Sequence, residues 1–138
     1  MRPIYETDED RSREGEVAAY IEQKYNCKFV RSEKLTVVDG MLLHPNGDAA
    51  ALVEIKVRNN ESARYPTYML SATKWRNGLA EATNQGVVFL LVVRFTDGVF
   101  VTKLKQKYQV GEGGRRDRND PKDIEQCIFI PMSDFRKL

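Results

Sequence analysis

The stretch that decides the fold is LTVVDGMLLHPNGDAAALVEIKV, residues 35–57 of the chain. Two apolar segments, Leu35–Leu43 and Ala49–Val57, flank the pentapeptide His-Pro-Asn-Gly-Asp. Asn-Gly is a strong hairpin signal, because both central residues of a type I′ turn need a positive φ angle. The stretch therefore predicts two antiparallel strands joined by a two-residue turn at Asn46-Gly47.

The register of this predicted hairpin brings charged side chains together. If Asn46 and Gly47 form the whole turn, counting back along both strands places Asp39 directly opposite Glu54. Opposed residues have Cβ atoms roughly 4.5–5.5 Å apart on the same face. Lys56 follows Glu54 by two residues, so strand alternation puts it on that face too. We therefore expect Asp39, Glu54 and Lys56 to meet.

This arrangement is unfavourable for stability alone and suggests a metal site. Opposed carboxylates repel each other, and unpaired charge in an otherwise apolar strand costs several kcal/mol. Mg²⁺ commonly binds one or two carboxylates together with waters and phosphate oxygens. The simpler alternative is a solvated strand edge at which Lys56 only neutralises Glu54. Both interpretations remain open from the residues alone.

Length and composition predict one ordinary globular domain spanning residues 1–138. Of the 138 residues, 41% are hydrophobic and 30% are charged, and no apolar run reaches the length of a membrane span. We expect a cytoplasmic protein without a membrane partner. The net charge of +2 is compatible with a nucleic-acid partner. Cys27 and Cys127 belong to no CxxC pair, so we expect two buried free thiols.

The remaining periodicity predicts an α/β chain in the order α-β-β-β-α-β-β, followed by another strand. The predicted helices are Asp8–Lys24, with Thr7 or Asp8 as its cap, and Ser71–Asn84, with Gly86 just beyond its end. A glycine-rich, charged segment at 111–121 is predicted to be a mobile loop. A terminal helical turn is expected after the last strand. The other predicted strands are Cys27–Val30, Val87–Phe95 (apolar throughout and therefore central), Val99–Leu104 and Cys127–Ile130.

The chain resembles the PD-(D/E)xK nuclease superfamily in the order of its motifs. Val38-Asp39 comes first, Glu54-Ile55-Lys56 follows after the hairpin, and then come a helix and an apolar strand. The resemblance covers residues 14–104 and is greatest to small phage-encoded nucleases and Holliday junction resolvases. Val38 stands where the motif has proline, a position that varies across the superfamily. The resemblance implies a restriction-endonuclease-like core, a mixed central sheet flanked by helices in the order α-β-β-β-α-β, plus C-terminal strands.

The resemblance also implies roles for these residues. Asp39 and Glu54 would coordinate Mg²⁺ or Mn²⁺, with the carbonyl of Ile55 as a backbone ligand. Lys56 would hold the attacking water and stabilise charge on the phosphate. The substrate would be DNA, and the cleavage product would carry a 5′-phosphate. An endonuclease is favoured, the choice between endonuclease and exonuclease stays open, and a homodimer is a plausible assembly.

The first-helix acid of such a site is Glu14 or Glu16. Glu14 lies one turn before Val17 and two turns before Ile21, on the predicted buried stripe, whereas Glu16 is nearer the edge of that stripe. Helical geometry and the resolvase-like sequence at the start of the helix both favour Glu14. Either glutamate would otherwise be a solvated helix charge.

Several basic and aromatic residues are candidates for DNA contact. Lys74, at the start of the second helix, would touch phosphate or the water bound to the metal. Arg58, with Arg64, Tyr65 and Tyr68, surrounds the loop after the catalytic strand, and such mixtures suit nucleic acid. Exposed loops often have this composition too. The mixed charge around Arg115, Arg116 and Arg118 favours a solvated loop, and His44 is predicted to be a surface residue.

Two functions from different classes therefore remain. The first is a Mg²⁺-dependent DNA endonuclease. The second is a catalytically idle nucleic-acid-binding or assembly module on the same fold, which would bind no metal.

Overall fold

The computed structural model describes residues 8–32, 38–114 and 124–138. No helix in these ranges is long and apolar enough to span a membrane. The elements, in chain order, are α1 (Asp8–Tyr25), β1 (Lys28–Arg31), β2 (Gly40–Leu43), β3 (Ala49–Val57), β4 (Thr67–Ser71), α2 (Ala72–Gln85), β5 (Val88–Phe95), β6 (Gly98–Lys103), β7 (Gln109–Gly114), β8 (Ile124–Pro131), a 3₁₀ turn (Met132–Asp134) and β9 (Arg136–Lys137).

The strands form two sheets. The larger has six strands in the order β1-β2-β3-β5-β6-β9, and the smaller has three in the order β4-β8-β7. The pairing of β3 with β5 is parallel, and the other pairings are antiparallel. The predicted α/β class with a mixed central sheet is therefore confirmed.

The two faces of the large sheet are covered by different elements. On one face, Val17 and Ile21 of α1 pack in a buried cluster with Val53 and Ile55 of β3. On the other face, α2 and the small sheet cover a second cluster that includes Leu52. Side chains alternate along a strand, so Glu54 and Lys56 belong to the face covered by α2.

The second helix is positioned by its ends. Ser71 precedes it and accepts a hydrogen bond from the backbone N–H of Lys74 at 3.4 Å. Gly86 ends the helix in the left-handed region, at φ 69°, as a glycine C-cap requires. The predicted span Ser71–Asn84 is confirmed to within one residue at each end. It places Lys74 in the first turn, beside the strand β3.

The predicted two-residue turn of the hairpin is wrong. His44 N–H donates to Asp48 O and Gly47 N–H donates to His44 O, both at 2.8 Å, so three residues lie between His44 and Asp48. Gly47 has φ 93°, whereas Asn46 does not have the positive φ that a type I′ turn needs. His44 is exposed at this tip, as predicted.

A bulge corrects the register that the longer turn would otherwise change. Leu43 pairs with Ala49 but Leu42 pairs with Ala51, so Ala50 is an extra residue on β3. The one-residue longer turn and the one-residue bulge cancel. Beyond the bulge, the ladder has the register that the sequence predicts.

The small sheet is the main feature that the sequence interpretation missed. Part of the predicted loop at 111–121 is the strand β7, whose ladder reaches Gly114; residues 115–123 lie outside the described ranges. β4 was not predicted, and β8 is longer than Cys127–Ile130. These strands form because they pair with each other, and the glycines of β7 give little local strand signal.

Smaller differences lie at other element ends. The strand predicted from Leu35 begins at Gly40 within the described residues, and positions 33–37 lie outside them. The proposed helix cap Thr7 also lies outside. The terminal helical turn is confirmed as the 3₁₀ turn, and β9 was not predicted. Both cysteines are free, with Cys127 buried and Cys27 half-buried.

Candidate active site

Asp39 lies directly before β2 and is held against β3. Its N–H donates to Val53 O at 3.1 Å, and its Oδ2 accepts from Ile55 N–H at 2.7 Å. Gly40 pairs with Val53, so position 39 falls opposite Glu54, in the predicted register. The backbone of β3 therefore orients the Asp39 carboxylate at the side of Glu54.

Glu54 is a buried carboxylate with two cations on one oxygen. Its side chain is 1% exposed, and its Oε2 lies 2.8 Å from Lys74 Nζ and 3.4 Å from Lys56 Nζ. Its Oε1 is buried and has no hydrogen-bond partner among the described residues. Burial and then the charge of Asp39 raise the pKa of Glu54, while Lys56 and Lys74 oppose this rise.

Both lysines remain accessible at the edge of the site. The Lys56 side chain is 30% exposed and that of Lys74 is 34% exposed, whereas the glutamate between them is sealed from solvent. An ammonium group in this position can contact Glu54 and an incoming anion, since it has three donors. The sequence interpretation placed Lys74 near phosphate or metal-bound water, and the structure adds its direct contact with Glu54.

The residues present fit a hard divalent cation that keeps open positions for substrate. Asp39 and Glu54 supply carboxylates from paired strands, and Glu54 Oε1 is a desolvated acceptor with no protein donor in the described part of the chain. Within that same part, no cluster of three or more His, Cys, Asp or Glu could hold a metal. Two carboxylates completed by a backbone carbonyl, waters and phosphate suit Mg²⁺ better than Zn²⁺.

The two candidate glutamates of α1 are held by different strands. Glu14 Oε2 lies 3.6 Å from Nη1 of Arg31, which pairs with Gly40, the neighbour of Asp39. Glu16 Oε2 lies 2.8 Å from Arg94 on β5 and is largely exposed. Its contact with Arg31 thus links Glu14 to the start of β2, directly after Asp39. The assignment of a catalytic role to Glu14 stays a prediction.

Arg58 and Tyr68 form one wall of a cavity next to the carboxylates. The Arg58 guanidinium lies 5.3 Å from the centre of the Tyr68 ring. Tyr68 belongs to β4, is 6% exposed and contacts Arg58 at the start of the loop, so it lies beside this loop as expected; its role in substrate binding stays a prediction. Burial raises its pKa to about 12. Met69 and Phe129, which also line the cavity, were missed because the pairing of β4 with β8 brings them together. Arg115, Arg116 and Arg118 lie outside the described residues.

Two paired strands present Asp39 and Glu54-x-Lys56, and a helix and a parallel strand follow them. This arrangement defines the PD-(D/E)xK nuclease class. Among solved structures, the chain is similar to Hjc, a Holliday junction resolvase from the archaeal hyperthermophile Archaeoglobus fulgidus, with a TM-score of 0.61 and 12% sequence identity. The alignment covers 92% of this chain and 90% of Hjc. At this identity the similarity shows the fold alone.

The family is shown by the sequence itself. The chain belongs to the family described as "Phage putative PDDEXK endonuclease", whose model matches residues 1–138. No curated protein sequence matches the chain. The protein is therefore a nuclease by family, and the predicted superfamily is confirmed.

Proposed function

We propose that the protein is a Mg²⁺-dependent DNA endonuclease whose active site is Asp39, Glu54 and Lys56. The observation that carries this proposal is the state of Glu54. It is buried, it lies opposite a second carboxylate, and its Oε1 lacks a partner among the described residues. A bound cation would satisfy that oxygen and remove the repulsion between the carboxylates.

The chain offers a defined set of ligands. Asp39, Glu54 and the carbonyl oxygen of Ile55 would hold Mg²⁺ or Mn²⁺. When bound, the ion would lower the pKa of a water and neutralise charge on the phosphate. Asp39 Oδ2 is already oriented by Ile55 N–H at 2.7 Å, so part of the site is formed in advance.

The lysines act on the substrate side of this site. Lys56 is close enough to Glu54 to be held in place and exposed enough to donate to a phosphate oxygen or to the attacking water. Lys74 offers a second donor from the first turn of α2. Arg58 is exposed at the end of β3 and neutralises a neighbouring phosphate. Tyr68 supports Arg58 through its ring.

Plasmid cleavage tests the proposal. We expect Asp39→Asn, Glu54→Gln and Lys56→Met each to lower the rate of supercoiled plasmid cleavage in Mg²⁺ by at least about 100-fold. Asn at position 39 keeps an acceptor for Ile55 N–H, so the hairpin should stay folded. The matched control is Asp48→Asn, an exposed aspartate at the tip of the same hairpin, which should leave cleavage unchanged. Unchanged cleavage in the three site variants would refute the proposed site.

The second candidate is a catalytically idle DNA-binding or assembly module. It is favoured by one observation: Lys56 and Lys74 already neutralise Glu54 without a metal. Calorimetric titration with Mn²⁺ separates the two candidates. The nuclease should bind Mn²⁺ and lose binding in Asp39→Asn, whereas the idle module should show no such heat. Homodimer formation and a cytoplasmic location remain predictions for sizing and fractionation experiments.

A further inference from the structure

A cavity of about 500 Å³ lies between the end of β3 and the small sheet. Its volume is within the range of roughly 300–1,000 Å³ that is usual for small-molecule pockets. The apolar part of the wall consists mainly of ring and thioether side chains from different strands and loops. They include Tyr65, Tyr68, Met69 and Phe129.

The wall combines flat apolar surfaces with hydrogen-bonding groups. Tyr65 is 57% exposed, so much of its ring surface is accessible to a ligand. The Tyr68 hydroxyl is buried and has no hydrogen-bond partner in the described part of the chain. Arg58 and Asn60 add polar groups at the rim. A nucleobase is a ligand of this chemistry, because it stacks through its faces and forms hydrogen bonds through its edge.

The cavity lies beyond the end of the strand that carries Glu54 and Lys56, with Arg58 in its lining. Arg58 N–H donates to Arg94 O at 2.8 Å, which extends the β3–β5 ladder one residue beyond β3. Strand alternation then places Glu54, Lys56 and Arg58 in one row on the same face, with about 7 Å between successive members. Arg58 lies over Tyr68 at the cavity wall. A strand with one phosphate at Lys56 would therefore bring an adjacent nucleotide to this cavity.

The loop that carries Tyr65 is fixed in place. Asp97 accepts hydrogen bonds from both the N–H and the hydroxyl of Ser62, at 2.8 and 2.6 Å. Thr96 N–H donates to Asn60 O at 3.0 Å, and Met132 N–H donates to Pro66 O at 2.9 Å. The loop is thus bound at both of its ends. A preformed wall lowers the entropy cost of ligand ordering.

From these observations we infer that the cavity binds one unpaired base of the DNA strand that is cut, next to the scissile phosphate. The inference rests on the proposed nuclease function and specifies its substrate class: DNA with an unpaired or extruded nucleotide, as at a branch, a bulge or a single-stranded end. Tyr65 supplies a stacking face, and Arg58 and Asn60 supply polar groups for the edge of the base.

Metal-free binding tests this inference apart from cleavage. The full-length protein in EDTA and low salt is titrated against two labelled duplexes of the same sequence, one with a single extrahelical adenine and one with an abasic site there. We expect wild type to bind the adenine duplex about tenfold more tightly, as one stacked base would provide. Tyr65→Ala should lower this preference to below about twofold, and Tyr65→Phe should retain it. Tyr65 is exposed, so its truncation leaves the core intact.

The outcomes separate the two proposals. Equal affinity for the two duplexes, no binding to either, or an unchanged preference in Tyr65→Ala would overturn the base pocket, whatever the protein does to plasmid DNA. A preference that depends on Tyr65, in a protein that cleaves no DNA with Mg²⁺, would support base binding in the cavity but refute the nuclease proposal and, with it, the position of the cavity beside a scissile phosphate. Loss of cleavage in Glu54→Gln with the preference retained would support both.

Discussion

Replacing Lys74 by methionine removes a charge from the Glu54 carboxylate while it keeps the length of the side chain. Lys74 Nζ donates to Glu54 Oε2 at 2.8 Å, and Lys56 Nζ, which the substitution leaves in place, lies 3.4 Å from the same oxygen in the unchanged protein. Hydrogen bonds to charged groups contribute about 1.5–3 kcal/mol. Because Lys74 is 34% exposed, solvent screening reduces that value, and we expect the substitution to lower the free energy of unfolding by about 1–2 kcal/mol when Glu54 is ionised.

The loss of stability caused by Lys74→Met should depend on pH in a defined direction. Burial raises the pKa of folded Glu54 above its ordinary value of 4.5, so the folded protein retains this proton to a higher pH than the unfolded chain. The contribution of Glu54 to stability is therefore complete below pH 4.5 and is lost as the pH rises through the folded pKa. Lys74 opposes this loss, because it stabilises the ionised form. Lys74→Met should lower the free energy of unfolding only slightly at pH 4, and by its full amount above the folded pKa of Glu54.

Urea unfolding between pH 4 and pH 8 in EDTA measures this difference. Arg76→Met is the matched control: Arg76 is an exposed cation on the same helix, and its loss should change the free energy of unfolding by less than about 0.5 kcal/mol. In a Glu54→Gln background, Lys74→Met should cost almost nothing at either pH. A cost that is constant with pH, or that persists in the Glu54→Gln background, would refute the assigned contact.

Three further predictions follow from other contacts. Glu14→Ala should lower the plasmid cleavage rate at least about tenfold and Glu16→Ala should not, since Glu14 is tied to the strand end beside Asp39; the reverse result would reassign the helix acid. Tyr68→Phe should raise the free energy of urea unfolding by about 1 kcal/mol, because it removes a buried hydroxyl that lacks a partner among the described residues; a loss of stability would contradict this. Gly78→Ala should lower the same free energy by about 1–3 kcal/mol, because the added Cβ would overlap the buried ring of Phe89; an unchanged midpoint would show that the ring can move.

The juxtaposition of Asp39 with Glu54 could be predicted because a strand register follows from counting residues. The count was right although its premise was wrong: the turn contains three residues instead of two, and the extra residue Ala50 compensates on β3. A turn motif fixes the register only where no bulge intervenes. The register on β3 decides which face each side chain occupies, since a one-residue slip would have turned Leu52 and Glu54 to the opposite face.

The second sheet could not be predicted, and with it the cavity stayed hidden. Met69 and Phe129 are opposite each other only because β4 pairs with β8 across a long separation in sequence. β4 has no strong local signal, only part of β8 was predicted as a strand, and β7 contains three glycines among its six residues. The contact of Lys74 with Glu54 depends on where α2 begins, and a shift of one residue there would rotate the side chain by about 100°.

The charges around Glu54 are difficult to explain by stability alone. A buried ion pair seldom stabilises a protein more than apolar side chains of similar size would, and the neighbours of Glu54 on β3 are Val53 and Ile55, both nearly inaccessible. Placing Asp39 opposite Glu54 adds repulsion, and Oε1 is left without a partner within the described residues. The two lysines reduce this cost at Oε2 only. A cation at the second oxygen would satisfy these groups, and for this reason the nuclease proposal depends first on the two carboxylates, with Lys56 as the third member of the proposed site.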